Sequence, residues 1–152
     1  MSRNRLLQVS LAANFVLAAA LTLIVASSTA PTAFGGYTVI VSKGLTMRMT
    51  ADQAASAASD FIESMAQSAA SFGLDAASAP KKIVSVIGAS GGEVGDFEPR
   101  AAGAVDQGAK VWIIRAEGPF IANRGFGAPR LFKSGYIVLD DATGGVIARG
   151  MP

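Results

Sequence analysis

The stretch Thr50–Gly73, TADQAASAASDFIESMAQSAASFG, decides how the rest of the chain reads. Thr50-Ala51-Asp52-Gln53 has the form of a capping box, with the threonine hydroxyl accepting from the amide three residues on and Gln53 reaching back. Asp52 stands in the first turn, where the helix dipole favours negative charge. Ala54, Ala58, Phe61, Ile62, Met65, Ala69 and Phe72 follow at helical spacing and form one apolar stripe, with Ser56, Glu63 and Gln67 off it. Gly73 can take a positive φ and end the helix. A stripe of this kind is core, and it needs a sheet to cover it.

The sheet is expected on both sides of the helix. Ile83–Ile87 is a β-branched run, and Lys110–Phe120 (KVWIIRAEGPF) alternates, with Trp112, Ile114 and Ala116 on one side and Val111, Ile113 and Arg115 on the other. Gly135–Asp140 and Val146–Arg149 read as a hairpin across Asp141–Gly145. Before the helix, Tyr37–Met49 reads as two short strands with Lys43-Gly44 in the turn. Two long loops are expected, Gly88–Gly108 with the acids Glu93, Asp96 and Glu98, and residues 121–133. The fold class is α+β, with an N-terminal transmembrane or signal helix and then one long helix packed on an antiparallel β-sheet.

Leu6–Ala26 carries no charge over 21 residues. As a helix it would be about 31 Å long, the thickness of a hydrocarbon core of about 30 Å. Arg3 and Arg5 precede it, which places the N-terminus in the cytoplasm and the remainder outside. Ser28-Thr29-Ala30 has the form of a signal-peptide cleavage site, but Pro31 follows it and the apolar run is long for a signal. The expected organisation is an anchor or signal peptide over residues 1–30, a Pro/Gly linker over 31–36, and an extracytoplasmic domain over 37–152. The location is the cell membrane as a single-pass protein, or the exterior after cleavage.

Composition excludes more than it selects. The 152 residues include no cysteine and no histidine, which removes disulfide frameworks, zinc-finger spacings, cysteine nucleophiles and Ser-His-Asp triads. Of the 51% hydrophobic residues many are alanine, 29 in all, which supply little core volume. Without Arg3 and Arg5 the Lys+Arg count falls from 13 to 11, equal to the 11 acids, so the domain is neutral and unlike a nucleic-acid binder.

From Leu45 to Gly150 the chain resembles a PepSY-type domain. The resemblance rests on the capped helix Thr50–Phe72, on Val111-Trp112-Ile113-Ile114, and on GYIVLDDATGGVI from Gly135 to Ile147, an aliphatic strand, Asp, a short Thr-Gly turn and a final strand. It implies an N-capped helix followed by antiparallel strands, and a non-enzymatic module of the cell envelope that restrains a peptidase. It supplies no catalytic residue. Unlike a propeptide, this chain carries no peptidase domain after the module, so the peptidase would be a separate partner.

Four groups invite chemistry. Gly88-Ala89-Ser90-Gly91-Gly92 satisfies G-x-S-x-G after a strand, yet no histidine exists to take the serine proton, and a plain loop is the expectation. The run also lacks the Lys-Ser/Thr of a phosphate-binding loop. Asp140, Asp141 and Thr143 offer oxygens, but hairpin turns favour Asp for conformational reasons. Glu93, Asp96 and Glu98 are expected to be solvated. Loop 121–133 interleaves Phe126, Leu131 and Phe132 with Arg124, Arg130 and Lys133, the residue types of interaction hot spots. Arg124, Phe126, Arg130, Phe132 and Lys133 are therefore the candidate partner-binding residues, facing an acidic protein surface or anionic headgroups. The alternative is that the rings tuck under the loop and the cations snorkel. No cofactor or metal is expected. The leading function is a non-enzymatic envelope binding or regulatory module, with an envelope protein or peptidase as partner. The alternative is a structural or assembly subunit of an envelope membrane complex.

Overall fold

A computed structural model describes residues 24–28, 36–70, 82–122 and 130–151. Six strands, β1 (Ile24–Ser28), β2 (Tyr37–Val41), β3 (Lys82–Ser90), β4 (Lys110–Ala122), β5 (Arg130–Asp140) and β6 (Val146–Gly150), form one sheet in sequential order. The helix α1 (Ala51–Ala70) lies between β2 and β3 in the chain, and the short α2 (Val94–Phe97) follows β3.

The sheet is mixed, which corrects the antiparallel expectation. β2 and β3 run parallel, with Val39 opposite Val86 and Ile40 opposite Ile87, while the other four pairings are antiparallel. Two neighbouring parallel strands need a crossover long enough to return the chain to its starting end, and α1 lies in that crossover. The helix residues described as packed on the sheet fall within residues 51–62. Its described core residues are Ala54, Ala55, Ala58 and Ile62, all in the N-terminal turns, and the side chains of Met65 and Ala69 lie outside the described residues, as does Phe72. The capping box is formed: the Thr50 N–H donates to Gln53 Oε1 at 2.9 Å and the Gln53 N–H to Thr50 Oγ1 at 3.2 Å.

The second short strand expected within Tyr37–Met49 is absent. Leu45–Met49 has the alternation of a strand, and Met47 and Met49 do pack on the core, but the segment joins no ladder. Its amides go elsewhere: the Arg48 and Met49 N–H groups donate to Oδ2 and Oδ1 of Asp141 at 2.7 and 3.0 Å. A buried backbone amide needs a partner, and a side-chain carboxylate serves as well as a neighbouring strand.

Both faces of the sheet are covered. Trp112, Ile114, Ala116 and Phe120 of β4 pack with Ile83, Val86, Ile137, Leu139 and the α1 residues. Val111 and Ile113 point the other way and pack with Ile87, Ala89, Tyr136 and Val138 beneath Val94, Ala101 and Val105. The cover on this second face is the segment expected to be an open loop. β3 runs on to Ser90, and residues 91–109 fold into α2 and two single helical turns. The Gly91 N–H donates to Ala109 O at 2.8 Å and that of Gly92 to Gln107 O at 3.2 Å, closing the segment on itself. A Cβ on Gly91 would stand 1.8 Å from Asp106 O, so only glycine fits at the closure.

The loop 121–133 is shorter than expected, because β4 continues to Ala122 and β5 starts at Arg130. Among the described residues β3 accompanies β4 as far as Glu117 and β6 accompanies β5 as far as Tyr136, and beyond these points β4 and β5 pair with each other as a two-stranded arm. The arm begins at a bulge between Glu117 and Phe120, where Gly118 adopts φ 151°. A side chain there would be strained, and the ladder with β5 resumes at Phe120 after the irregularity.

Of the expected membrane or signal helix Leu6–Ala26, the last three residues belong to β1, paired with Val41, Ile40 and Val39 of β2. Residues 6–23 lie outside the described residues, as does the linker apart from Gly36. Among the described residues no helix is long and apolar enough to cross a membrane.

Candidate functional site

The polar groups that invite chemistry in the sequence are mostly engaged in holding the fold. Asp141, 3% exposed, accepts from Arg48 N–H, Met49 N–H and Trp112 Nε1, the last at 2.9 Å. Its carboxylate thereby ties three separate parts of the chain together, and both oxygens face protein donors rather than a cation. Asp140 Oδ1 accepts from the Ala142 and Thr143 N–H groups at 3.1 and 2.8 Å and from Thr143 Oγ1 at 2.8 Å. The bonds from Thr143, side chain first and then backbone, hold the Asp140 carboxyl below its usual range. Aspartate is at this turn for its backbone bonding.

Ser90 is also occupied. Its hydroxyl donates to Glu93 Oε2 at 2.6 Å and its N–H donates to the same oxygen at 3.0 Å. These bonds lower the pKa of Glu93, with Ser42 contributing and partial burial opposing. The Ser90 hydroxyl and amide are thereby both engaged with Glu93, and the pair orders the turn after β3. The acidic cluster expected to be solvated divides accordingly: Glu93 caps, Asp96 is exposed, and Glu98 turns towards Arg115. Among the described residues no group of three His, Cys, Asp or Glu side chains has the spacing of a metal site.

Two surfaces remain. The first is the arm. Arg130, Leu131 and Lys133 are exposed, Leu131 by 58%, while Phe132 packs against the core beside its cross-strand partner Phe120. Phe132 is therefore partly structural and the two cations are on the outside. Arg124 and Phe126 lie outside the described residues.

The second is a cleft at the base of the arm, which nothing local in the sequence marks. It has a volume of about 220 Å³ and is lined by Glu98, Arg115, Ser134, Gly135 and Tyr136. Glu98 follows α2, Arg115 lies mid-β4 and the other three are consecutive in β5, so the site exists only once the cover has docked on the sheet. An Arg115 Nη2 donates to the Phe97 carbonyl, which fixes the guanidinium, while Arg115 Nε stays 3.9 Å from Glu98 Oε2. Burial pushes the Tyr136 hydroxyl above its ordinary pKa; the Glu98 charge adds to this and Arg100 opposes it. The ring is pinned from behind by Gly150, where a Cβ would come within 2.7 Å of it.

Comparison with family models, curated proteins and solved structures finds no match to this chain. The PepSY resemblance therefore rests on its short motifs alone.

Proposed function

We propose that this protein is a non-enzymatic binding or regulatory module of the cell envelope, and that the β4–β5 arm carries the contact with an acidic protein surface, such as that of a peptidase. The observation that carries this reading is the arm itself. Two-stranded ribbons are marginal in water on their own, yet here one extends past the sheet with Arg130, Leu131 and Lys133 outward. Arginine and large apolar side chains on a protruding element are the composition of an interface core and rim. The engagement of Asp141, Asp140, Ser90 and Glu93 in fold-holding bonds favours binding over catalysis.

Membrane attachment belongs to the same proposal. With Ile24–Ala26 in β1, Leu6–Leu23 leaves 18 uncharged residues, about 27 Å as a helix and within the length range of a span. One observation favours the second reading, a structural or assembly subunit of an envelope complex: this apolar run leads directly into an edge strand, so whatever holds it also holds the sheet.

The test is capture of envelope proteins by the full chain against R130A/K133A. Loss of a captured protein at low salt, with unfolding midpoints equal, supports the arm as the interface. Equal capture by both proteins overturns it, and a partner held through residues 6–23 alone would favour the assembly reading.

A further inference from the structure

We propose that the arm takes its partner by strand addition, the free edge of β5 over Arg130–Ser134 pairing with an extended acidic segment of the partner. The inference rests on the arm being the contact, and it names the form of chain that the arm recognises. It begins where β6 stops. Gly150 is the last residue of β6 and stands opposite Tyr136, and its carbonyl oxygen lies 3.4 Å from where a Cβ on Gly135 would be. Beyond that point, from Ser134 back to Arg130, nothing among the described residues pairs with β5 on its β6 side. The open edge is about 17 Å of extended chain at about 3.3 Å per residue. Such an edge presents a row of N–H and C=O groups, and a peptide laid along it completes them. A third strand is also what a two-stranded ribbon lacks.

The two edges of the arm are not alike. On β4 the chain reads Gly118-Pro119, so one position has no N–H to give. The irregularity in the ladder falls on the same strand, since Glu117 to Phe120 spans the register that Ser134 to Phe132 spans on β5. A proline and a bulge blunt an edge against pairing. β5 has no proline from Arg130 to Asp140 and keeps every donor. The edge left able to accept a strand is that of β5.

Charge selects the occupant. Arg130 and Lys133 are exposed on this strand, and Arg149 is exposed near the end of β6. The acid of the described arm, Glu117, has Lys82 opposite it on the β3 side. A second copy of β5 would set Arg130 and Lys133 against their own images, and like charges facing each other across a ladder oppose pairing. An acidic strand meets cations instead. Leu131, exposed between them, gives its alternate side chains an apolar contact.

The probe is a capped heptapeptide of alternating Glu and Val. Two companions accompany it: one with Lys for Glu, and one N-methylated at two adjacent central residues, which keeps the charge and blocks both edges. Each is titrated into the full chain at low salt, followed by amide shifts and amide exchange over Arg130–Ser134. The acidic peptide should bind saturably and slow exchange within that segment. The N-methylated peptide should bind at least tenfold more weakly, and the Lys peptide should give no saturable shift. R130A/K133A should weaken the acidic peptide at least fivefold with its unfolding midpoint unchanged. Equal binding of the N-methylated peptide overturns strand addition while leaving the arm as a side-chain contact. Undiminished binding by R130A/K133A overturns the choice of an acidic partner and the arm reading with it. No saturable shift with the acidic peptide also overturns the inference. So does slowed exchange over Arg130–Ser134 that grows with protein concentration alone, which would assign the edge to a second copy.

Discussion

The two faces of one sheet are closed by different means. On one, Trp112 and Ile114 lie against the N-terminal turns of α1, a capped helix made of regular hydrogen bonds. On the other, Val111 and Ile113 lie beneath residues 91–109, a run of short turns that buries Val94, Ala101 and Val105, with Phe97 and Ala109 partly buried beside them. The helix face has the larger side chains and the Asp141 anchor. The second face is sealed by small residues and closes on itself through a few backbone bonds, and at its margin the cover stops short of Ser134–Tyr136, leaving the cleft. The regular cover should therefore carry most of the stability, and the cleft lies where the cover is irregular.

Trp112→Ala is the strongest way to break this comparison. It empties the centre of the helix face and removes a donor from Asp141, and should cost about 3–5 kcal/mol in urea unfolding. A loss below about 1 kcal/mol would mean the helix face is not where stability resides. Asp141→Ala should cost about 3 kcal/mol, because it strands the Arg48 and Met49 amides and the indole N–H. Since Trp112 and Asp141 share a bond, the double variant should lose less than the sum of the singles.

These residues also show what a sequence can and cannot disclose. The capping box of Thr50 and Gln53, the alternation of Val111–Ala116 and the Asp-rich turn at 140–145 were all legible, because each depends on neighbours within a few residues. The Asp141 anchor was not, since it joins residues more than ninety positions apart. For the same reason Leu45–Met49 imitates a strand: its methionines alternate to reach the core, but its amides serve a distant carboxylate. The parallel pairing of β2 with β3 is set by the crossover and leaves no mark in either strand. The cover on the second face read as a loop because Gly and Ala dominate it, and its burial comes from close approach rather than bulk. Of the candidate partner-binding residues, Phe132 turned partly inward, beside Phe120, its partner in the ladder past the bulge.

Gly91→Ala sharpens the comparison from the other face. The added methyl would collide with Asp106 O, and the cost should be about 1–3 kcal/mol. Hydrogen exchange should show it as faster exchange across 91–109, with the α1 amides little changed; a uniform loss of protection would mean the two faces open as one unit.

Ser90→Ala should cost about 1 kcal/mol through the lost cap. The same turn carries a pH dependence. Glu93 and Asp140 have folded pKa values below their ordinary ones, so each contributes stability above the usual carboxylate range that is lost as pH falls through the folded value. Glu93→Gln should flatten the acid limb of stability against pH, and an unaltered limb would show that the capping bonds do not form in solution.

The smallest effect is at the cleft. Tyr136 has a raised pKa, so the folded state holds its proton more tightly and stability should decline as pH rises through about 10 towards the folded value. Tyr136→Phe should remove that alkaline decline and leave neutral stability within about 1 kcal/mol. A decline of the same slope in the variant would assign it to other groups.

The Asp141 anchor also sets a clock on biosynthesis. Met49 leaves the ribosome 92 residues before the carboxylate that will bind its amide. At about 5–20 residues per second the interval is roughly 5–18 s. Throughout it the Arg48 and Met49 amides lack the carboxylate that holds them in the folded protein. Pulse-labelled chains should become protease-resistant only after Asp141 has emerged, and the D141A protein should miss that step.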